Sequence, residues 1–194
     1  MAKKTEKPEP VLDDDGIVVH EYAHTVLVIV PPEGFGEQGV CFARSQLQSI
    51  RVATRVASSR YDEVLRGRLQ EFFLADEPLD QVDVSTYSGV LIASGEGDDL
   101  ATDERVLRIV REMGAAKKLV ASIGNGLDTL LRAGVAKGKR VTGDVALEQS
   151  AKSAGAKYTG RQVEISDHVV TALDECAGIR FGRGLIDVIV AAQK

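Results

Sequence analysis

The chain has 194 residues, of which 44% are hydrophobic and 27% charged, and its formal net charge is −5. This composition is ordinary for a globular protein, and the length predicts a single domain with its own hydrophobic core. The acidic balance and an aromatic content of only 5% argue against a nucleic-acid partner, because nucleic-acid-binding surfaces are basic. No apolar run approaches the roughly 20 residues that cross a bilayer, so we expect no membrane partner.

The first 24 residues differ in composition from the rest of the chain. Residues 1–15 are rich in Lys, Glu, Pro and Asp and predict a flexible tail, while residues 17–24 could form an extra edge strand or an arm that packs on a partner. The start of the chain has no signal-peptide pattern. Cys41 and Cys176 are too few for a disulfide framework or a zinc site, so we expect a cytoplasmic protein without a metal or cofactor. A single domain is predicted over residues 25–194.

A regular alternation of strands and helices begins at residue 25. Residues 25–30 form a β-branched run that is typical of a strand buried on both faces. A helix is predicted over 40–50, a second strand over 51–58, and a third buried strand over 88–93. The segment 61–84 is poorly patterned and predicts strands or turns at the edge of the sheet.

The second half continues the alternation. The clearest helix covers 103–114, with Thr102 or Asp103 as its cap and Gly114 as its end. The later expected elements are a strand ending at residue 123, a helix ending at Gly134, a short strand over 140–142, a helix over 144–154 closed by Gly155, a hairpin over 162–172 turning near Asp167, and a last helix over about 175–192. This order predicts an α/β three-layer sandwich with a mostly parallel sheet.

Residues 119–126, Leu-Val-Ala-Ser-Ile-Gly-Asn-Gly, are the most informative motif. An apolar strand enters a glycine-bracketed turn that opens directly into a helix. This is the pattern of a nucleophile elbow, in which a strained turn projects one reactive side chain into a crevice at the carboxyl edge of the sheet. The residue at the apex here is Gly124, which has no side chain.

The order of these motifs resembles the ThiJ/PfpI family of the class I glutamine-amidotransferase-like superfamily. The resemblance covers about residues 25–192 and is most specific in the segments 87–93, 106–113, 118–126 and 130–142. It implies a flavodoxin-like sheet with helices on both faces. It also implies assembly into homodimers or larger homo-oligomers.

The departures from the family pattern fall on its chemistry. Gly124 stands where the resemblance implies the nucleophilic cysteine, and Asn125 where many members have histidine. Asp144 lies where other members carry their histidine. The acidic partner that follows the first strand would be Glu33 or Glu37. Without a thiolate the family's covalent chemistry cannot start, so no catalytic residue is assigned.

We therefore predict a non-catalytic scaffold, or a protein that binds a small ligand or a partner in a degenerate pocket. Backbone N–H groups of Gly126 and Leu127 could hold a small anion there. The residues predicted to line the pocket are Glu37, Ser94, Gly95, Gly124, Asn125 and Gly126.

Three alternatives remain open. An enzyme of the same fold could use Glu37 together with Cys41 as a substitute thiol, although Cys41 is better explained as a small core residue. The glycines of residues 34–39 match a dinucleotide fingerprint, which residues 58–60 could complete, but Pro31, Pro32 and Glu33 separate the first glycine from its strand. Finally, loop acids could form a cation-binding mouth: Glu33, Glu37, Glu96, Asp98 and Asp99. His20 and His24 precede the first strand and His168 lies at a hairpin turn, so none is expected at the crevice.

Overall fold

The computed structural model describes residues 22–93, 95 and 100–192, together with the backbone of two short strands before them. The helices are α1 (Glu37–Ser49), α2 (Glu104–Ala115), α3 (Leu127–Arg132), α4 (Glu148–Ser153) and α5 (Gly178–Ala191). The strands are β1 (Val11–Leu12), β2 (Val18–Val19), β3 (His24–Ile29), β4 (Glu33–Phe35), β5 (Val52–Ser58), β6 (Leu65–Gly67), β7 (Phe72–Phe73), β8 (Glu77–Pro78), β9 (Gly89–Ile92), β10 (Leu119–Ile123), β11 (Arg140–Val141), β12 (Lys157–Tyr158), β13 (Val163–Ser166) and β14 (Val169–Ala172). Short 3-10 turns occupy Val84–Thr86, Gly124–Gly126, Val145–Leu147 and Glu175–Ala177.

Seven strands form the central sheet in the order β13-β14-β10-β9-β3-β5-β8. Neighbouring strands run parallel, except that β13 pairs with β14 as an antiparallel hairpin. The inner order β5-β3-β9-β10-β14 is the flavodoxin-like arrangement, in which the chain reverses its direction of travel between β3 and β9. The predicted mostly parallel α/β sheet is therefore confirmed.

Two hydrophobic clusters lie on opposite faces of this sheet. Along β3, Val26 and Val28 belong to the cluster that contains residues of α1 and α5, while Leu27 and Ile29 belong to the cluster of α2 and α3. All four side chains are fully buried. Successive strand residues point to opposite faces, so a continuous apolar run is what a sheet covered on both sides requires. This arrangement confirms the three layers.

The predicted helices and strands are found with shifted ends. Helix α1 begins one turn before the predicted start, at Glu37, with Gly36 as its cap. Helix α2 does not stop at Gly114: it continues to Ala115, and the left-handed residue that follows is Lys117, with φ +54°. The N–H groups of Lys117 and Lys118 donate to the carbonyls of Gly114 and Met113 and close the helix there.

Three segments contain more elements than the sequence predicts. The expected helix over 144–154 is split into a 3-10 turn and α4, with the Asp144 side chain as the cap. The short strand after Lys139 lies outside the central sheet and pairs with β12, which was not predicted. Strand β2 pairs with β1 in a separate ladder, so residues 18–19 do not extend the edge of the central sheet.

The predictions for segment 61–84 and for the hairpin over 162–172 are confirmed. Segment 61–84 supplies β6, β7 and β8, of which β8 is an edge strand of the central sheet. The hairpin of β13 and β14 turns at Asp167, whose φ is +61°. Among the described residues, no helix is both long enough and apolar enough to cross a membrane.

Candidate functional site

The elbow lies at the carboxyl end of β10, between β9 and β14. All five residues of β10 are buried, and the strand runs directly into the 3-10 turn Gly124–Gly126. Gly124 is buried with φ +56°, a left-handed conformation that glycine adopts at little cost. A Cβ on Gly126 would lie 2.8 Å from the carbonyl oxygen of Ile92, so the turn packs against β9 too closely for a side chain.

Asn125 ties the elbow to the loop after β9. Its Nδ2 donates to the carbonyl oxygen of Gly95 at 2.6 Å, and its Oδ1 accepts from the Gly95 N–H at 3.0 Å. Both backbone groups of one residue are therefore held by one side chain. Asn125 lines a small cleft of about 160 Å³ on the side of Gly95 and a larger one of about 520 Å³ on the side of Gly124.

The larger cleft has a polar lining. Arg68 and Glu175 form an ion pair across it, with 3.4 Å between Nη1 and Oε1. Asp144 and Asp174 contribute carboxylates whose Oδ1 atoms accept from the N–H groups two residues ahead, at 2.9 and 2.8 Å. The full lining is Arg68, Gly124, Asn125, Asp144, Val145, Leu173, Asp174 and Glu175. Three carboxylates thus share the cleft with one guanidinium.

Glu37 is the buried acid of the two candidates. It is 2% exposed, whereas Glu33 is exposed on β4. Its Oε1 accepts from the N–H groups of Leu69 and Glu71. Its Oε2 is buried and has no hydrogen-bond partner in the described part of the chain. Burying a carboxylate oxygen without a hydrogen-bond donor costs free energy of folding. Only one of the two Glu37 carboxylate oxygens is therefore hydrogen-bonded in the described part of the chain.

The model of the DJ-1/PfpI family matches residues 24–188 of the chain. The chain belongs to the DJ-1/PfpI family. An uncharacterised protein of Archaeoglobus fulgidus is 28% identical over 148 residues, which cover 76% of this chain and 87% of that protein. A protein named as a deglycase from Thermococcus kodakarensis is 24% identical over 147 residues, covering 75% of this chain and 88% of that one.

Solved structures of DJ-1/PfpI proteins show the same fold. A ThiJ/PfpI domain protein from Brachyspira murdochii superposes with a TM-score of 0.81 at 21% identity, covering 86% of this chain and 96% of its own. Drosophila melanogaster DJ-1beta superposes with a TM-score of 0.74 at 20% identity, covering 88% and 97%. At these identities the likeness concerns the fold.

The structure brings together most of the residues predicted for the DJ-1/PfpI pocket. Gly95, Gly124, Asn125 and Gly126 line one or both clefts at the elbow. Glu37 lines neither cleft, because its carboxylate turns towards the loop that follows β6. Ser94 lies outside the described residues, as do Glu96, Asp98 and Asp99 of the predicted acidic mouth. In the described ranges, no group of three or more His, Cys, Asp or Glu side chains is placed to hold a metal.

Cys41 is not the core residue that the sequence favoured. It is exposed on the outer side of α1, because the buried face of that helix is formed by neighbours such as Val40 and Ala43. Partial burial raises the pKa of its thiol, while Arg44 acts in the opposite direction. Cys41 does not line the cleft beside Gly124 but a separate groove that it shares with Cys176.

The geometry does not fit the dinucleotide fingerprint. Gly34 lies in β4, which pairs with β6, so the first glycine is not part of a tight strand-to-helix turn. The Glu175 carboxylate packs directly against Gly36, at the start of α1 where a pyrophosphate would lie.

The predicted anion site at the backbone N–H groups of Gly126 and Leu127 has one donor fewer than expected. The Leu127 N–H donates to the carbonyl oxygens of Gly124 and Asn125.

His24 lies at the opposite edge of the sheet, as expected, and His168 of the β13–β14 hairpin lies at the same edge. The His24 Nδ1 atom lies 2.9 Å from the Ser88 hydroxyl, where β3 and β9 begin. The His168 carbonyl accepts from the Val120 N–H near the start of β10. His20 lies outside the described residues.

Sequence reasoning missed three charged residues of the larger cleft: Arg68, Asp174 and Glu175. Asp174 and Glu175 follow the end of β14, and the carboxyl ends of parallel strands meet at one edge, so this rule could have found them. Arg68 comes from the poorly patterned segment between β6 and β7, where no signal marked it.

Proposed function

We propose that this chain is a non-catalytic member of the DJ-1/PfpI family that binds a small polar ligand in the cleft beside Gly124. The observation that carries the proposal is the apex of the elbow, where a buried glycine at φ +56° leaves no reactive atom. The strand, turn and helix of the elbow are present around this apex. Neither Cys41 nor Cys176 lines this cleft.

A deglycase assay tests the non-catalytic part of the proposal, since relatives carry that name. We expect the protein to release N-acetylcysteine from its methylglyoxal adduct no faster than the uncatalysed reaction. Cys41→Ser, which removes the substitute thiol, should leave this background unchanged. Turnover by the unmodified protein that Cys41→Ser or Glu37→Gln abolishes would establish the enzyme alternative instead.

The cleft favours a ligand with a positively charged group over a simple anion. Its carboxylates come from Asp144, Asp174 and Glu175, against the single guanidinium of Arg68. Opposite charges at this range attract even in a partly solvated site. A zwitterion that places an ammonium or guanidinium near the carboxylates and a carboxylate near Arg68 would match both signs.

Calorimetric titration with L-arginine and with acetate tests this choice. We expect L-arginine to bind and acetate not to bind. Asp174→Asn should weaken the binding of L-arginine, because it removes a charge while its side-chain oxygen can still accept from the Cys176 N–H. Binding of acetate, or no binding of either probe, would contradict the assigned ligand class.

We further propose a homodimer that uses the outer face of α1. The exposed residues of this helix are all uncharged: Gln38, Cys41, Phe42, Ser45, Gln48 and Ser49. In a two-fold interface a residue near the axis meets its own copy, so a charged side chain there would repel itself. Phe42 is 44% exposed and lines the same groove as Ile179, which is 56% exposed.

Sedimentation of Phe42→Asp tests the dimer. We expect the variant to be monomeric, because two carboxylates would face each other across the axis. Val145→Asp is the matched control, since Val145 is more exposed, at 71%, and lies beside the elbow. A monomeric unmodified protein, or a Phe42→Asp variant that stays dimeric, would exclude this interface.

A cytoplasmic location stays a prediction that rests on two free cysteines.

A further inference from the structure

The amino edge of the central sheet has a second cleft, on the side opposite the elbow. Its volume is about 540 Å³, within the range of small-molecule sites. It forms where β3, β9 and β10 begin and where α5 ends. The lining residues are Ala23, His24, Ser85, Thr86, Tyr87, Ser88, Ala116, Lys117, Lys118, Ile189 and Ala192.

The polar groups of this cleft differ in sign from those at the elbow. Two of its side chains are lysines, and hydroxyl or imidazole groups come from His24, Ser85, Thr86 and Ser88. No carboxylate is found among these lining residues, although acidic residues outnumber basic ones by 29 to 24 in the whole chain. A local excess of cations in an acidic protein favours an anionic ligand.

The Lys118 ammonium is held in place at the floor of the cleft. Its Nζ donates to the carbonyl oxygens of Val84 and Ser85, at 2.8 and 3.1 Å. An ammonium has three N–H donors, so one remains for a ligand. The pKa of the neighbouring Asp83 is lowered by its hydrogen bonds with Ser85, and the charge of Lys118 contributes. Asp83 itself does not line the cleft.

Lys117 occupies a position that would suit glycine better. It is the residue after the end of α2 and has φ +54°, where a side chain costs conformational energy. Its side chain is exposed at the rim of the cleft. The dipole of α2 favours a cation at this end of the helix, and an anionic ligand in the cleft would use the same charge.

The ends of two helices oppose an anion in this place, because the carbonyl ends of α2 and α5 carry partial negative charge. This effect is reduced at α2, where the N–H groups of Ala116, Lys117 and Lys118 donate to the last carbonyls. The full charges of two lysines exceed the roughly half charge of a helix end.

We propose that this amino-edge cleft binds the phosphoryl group of a small organic phosphate. Lys117 and Lys118 supply the charge and the N–H donors, whereas the hydroxyls of Ser85 and Thr86 are engaged with Asp83. Charge-assisted hydrogen bonds of this kind are the usual means of phosphate recognition. The site shares no residue with the elbow clefts, so the proposal does not depend on the function proposed for Gly124.

Titration with inorganic pyrophosphate at constant chloride tests the site by calorimetry and by amide chemical shifts. We expect binding that shifts the amides of residues 85–88. Lys117→Gly should weaken it about tenfold through loss of one charged contact. The same variant should keep or raise the melting temperature, because glycine suits φ +54°. Weakened binding can then not be attributed to unfolding.

Lys157→Ala is the matched control, since Lys157 is an exposed lysine on β12, outside the cleft. Its affinity for pyrophosphate should equal that of the unmodified protein. The proposal is overturned if pyrophosphate does not bind, if Lys117→Gly binds as well as the unmodified protein, or if Lys157→Ala weakens binding to the same degree.

Discussion

The substitution Gly124→Cys tests whether the elbow still has the geometry of a reactive site. A side chain in the left-handed region costs about 1–2 kcal/mol, and Gly124 has φ +56°. For a chain of this size, about 1 kcal/mol corresponds to roughly 2–4 °C in melting temperature. We therefore expect Gly124→Cys to melt about 2–8 °C lower in differential scanning calorimetry.

Gly138→Ala is the reference for the backbone cost alone. Gly138 has φ +76°, and a Cβ there would have no neighbour within 4 Å. A loss at Gly138 without any loss at Gly124 would show that the elbow is not left-handed in solution. The apex would then not have kept the conformation of a reactive elbow.

The same variant reports on Glu37, whose Oε2 has no partner in the described part of the chain. The Glu37 carboxyl turns towards the loop after β6, while burial at the apex and the carboxylates of the larger cleft disfavour a thiolate there. In a Cys41→Ser, Cys176→Ser background, we expect iodoacetamide alkylation of the thiol introduced by Gly124→Cys to show a midpoint at or above the ordinary thiol pKa of about 8.5. A midpoint clearly below about 8.5 would show that a hydrogen-bond donor still reaches the apex and stabilises the thiolate.

Three further predictions concern stability. Asp103→Ala should lower the free energy of unfolding in urea by about 1 kcal/mol, because α2 loses its cap, while Asp103→Asn keeps an acceptor. The hydrogen bond from Arg105 lowers the pKa of Asp103 in the folded protein. The stability advantage of aspartate over asparagine should therefore disappear as the pH falls through that pKa. Glu77 accepts a hydrogen bond from the Tyr87 hydroxyl, and burial raises the pKa of its carboxyl. Folding therefore favours the protonated carboxyl, and the stability of the unmodified protein that depends on this proton is lost as the pH rises. The melting temperature of Glu77→Gln relative to the unmodified protein should increase from about pH 4 to pH 8. Asn125→Ala should cost about 1–3 kcal/mol and speed hydrogen exchange at Gly95, and unchanged exchange there would contradict the pairing.

The sheet was predictable from the sequence because its strands are buried on both faces. Continuous apolar runs such as residues 25–30 and 119–123 are buried on both faces, so they belong to the central layer of the three. The segment between β5 and β9 was less predictable. Its strands have two or three residues each, and their pairing depends on neighbours distant in sequence, such as β4 for β6.

The candidate site was predictable only where its residues belong to the elbow. Gly124 and Asn125 stand in a strand-to-helix motif that fixes their place at the carboxyl edge. Arg68 enters the same cleft from a hairpin, and its position depends on how β6 and β7 pack against β4 and α1. Likewise, no pattern distinguished Glu37 from Glu33, because neither strand β4 nor the early start of α1 at Glu37 was predicted from the sequence.

The two hydrogen bonds between Asn125 and Gly95 also make the two elbow clefts thermodynamically dependent on each other. A ligand that takes up the Asn125 amide from either cleft must release both backbone groups of Gly95. By reciprocity, anything that holds Gly95 in place penalises that ligand by the same free energy. Ligands that leave the amide undisturbed escape this cost. A single side chain can therefore select between ligands in one cleft according to the state of the loop beside the other.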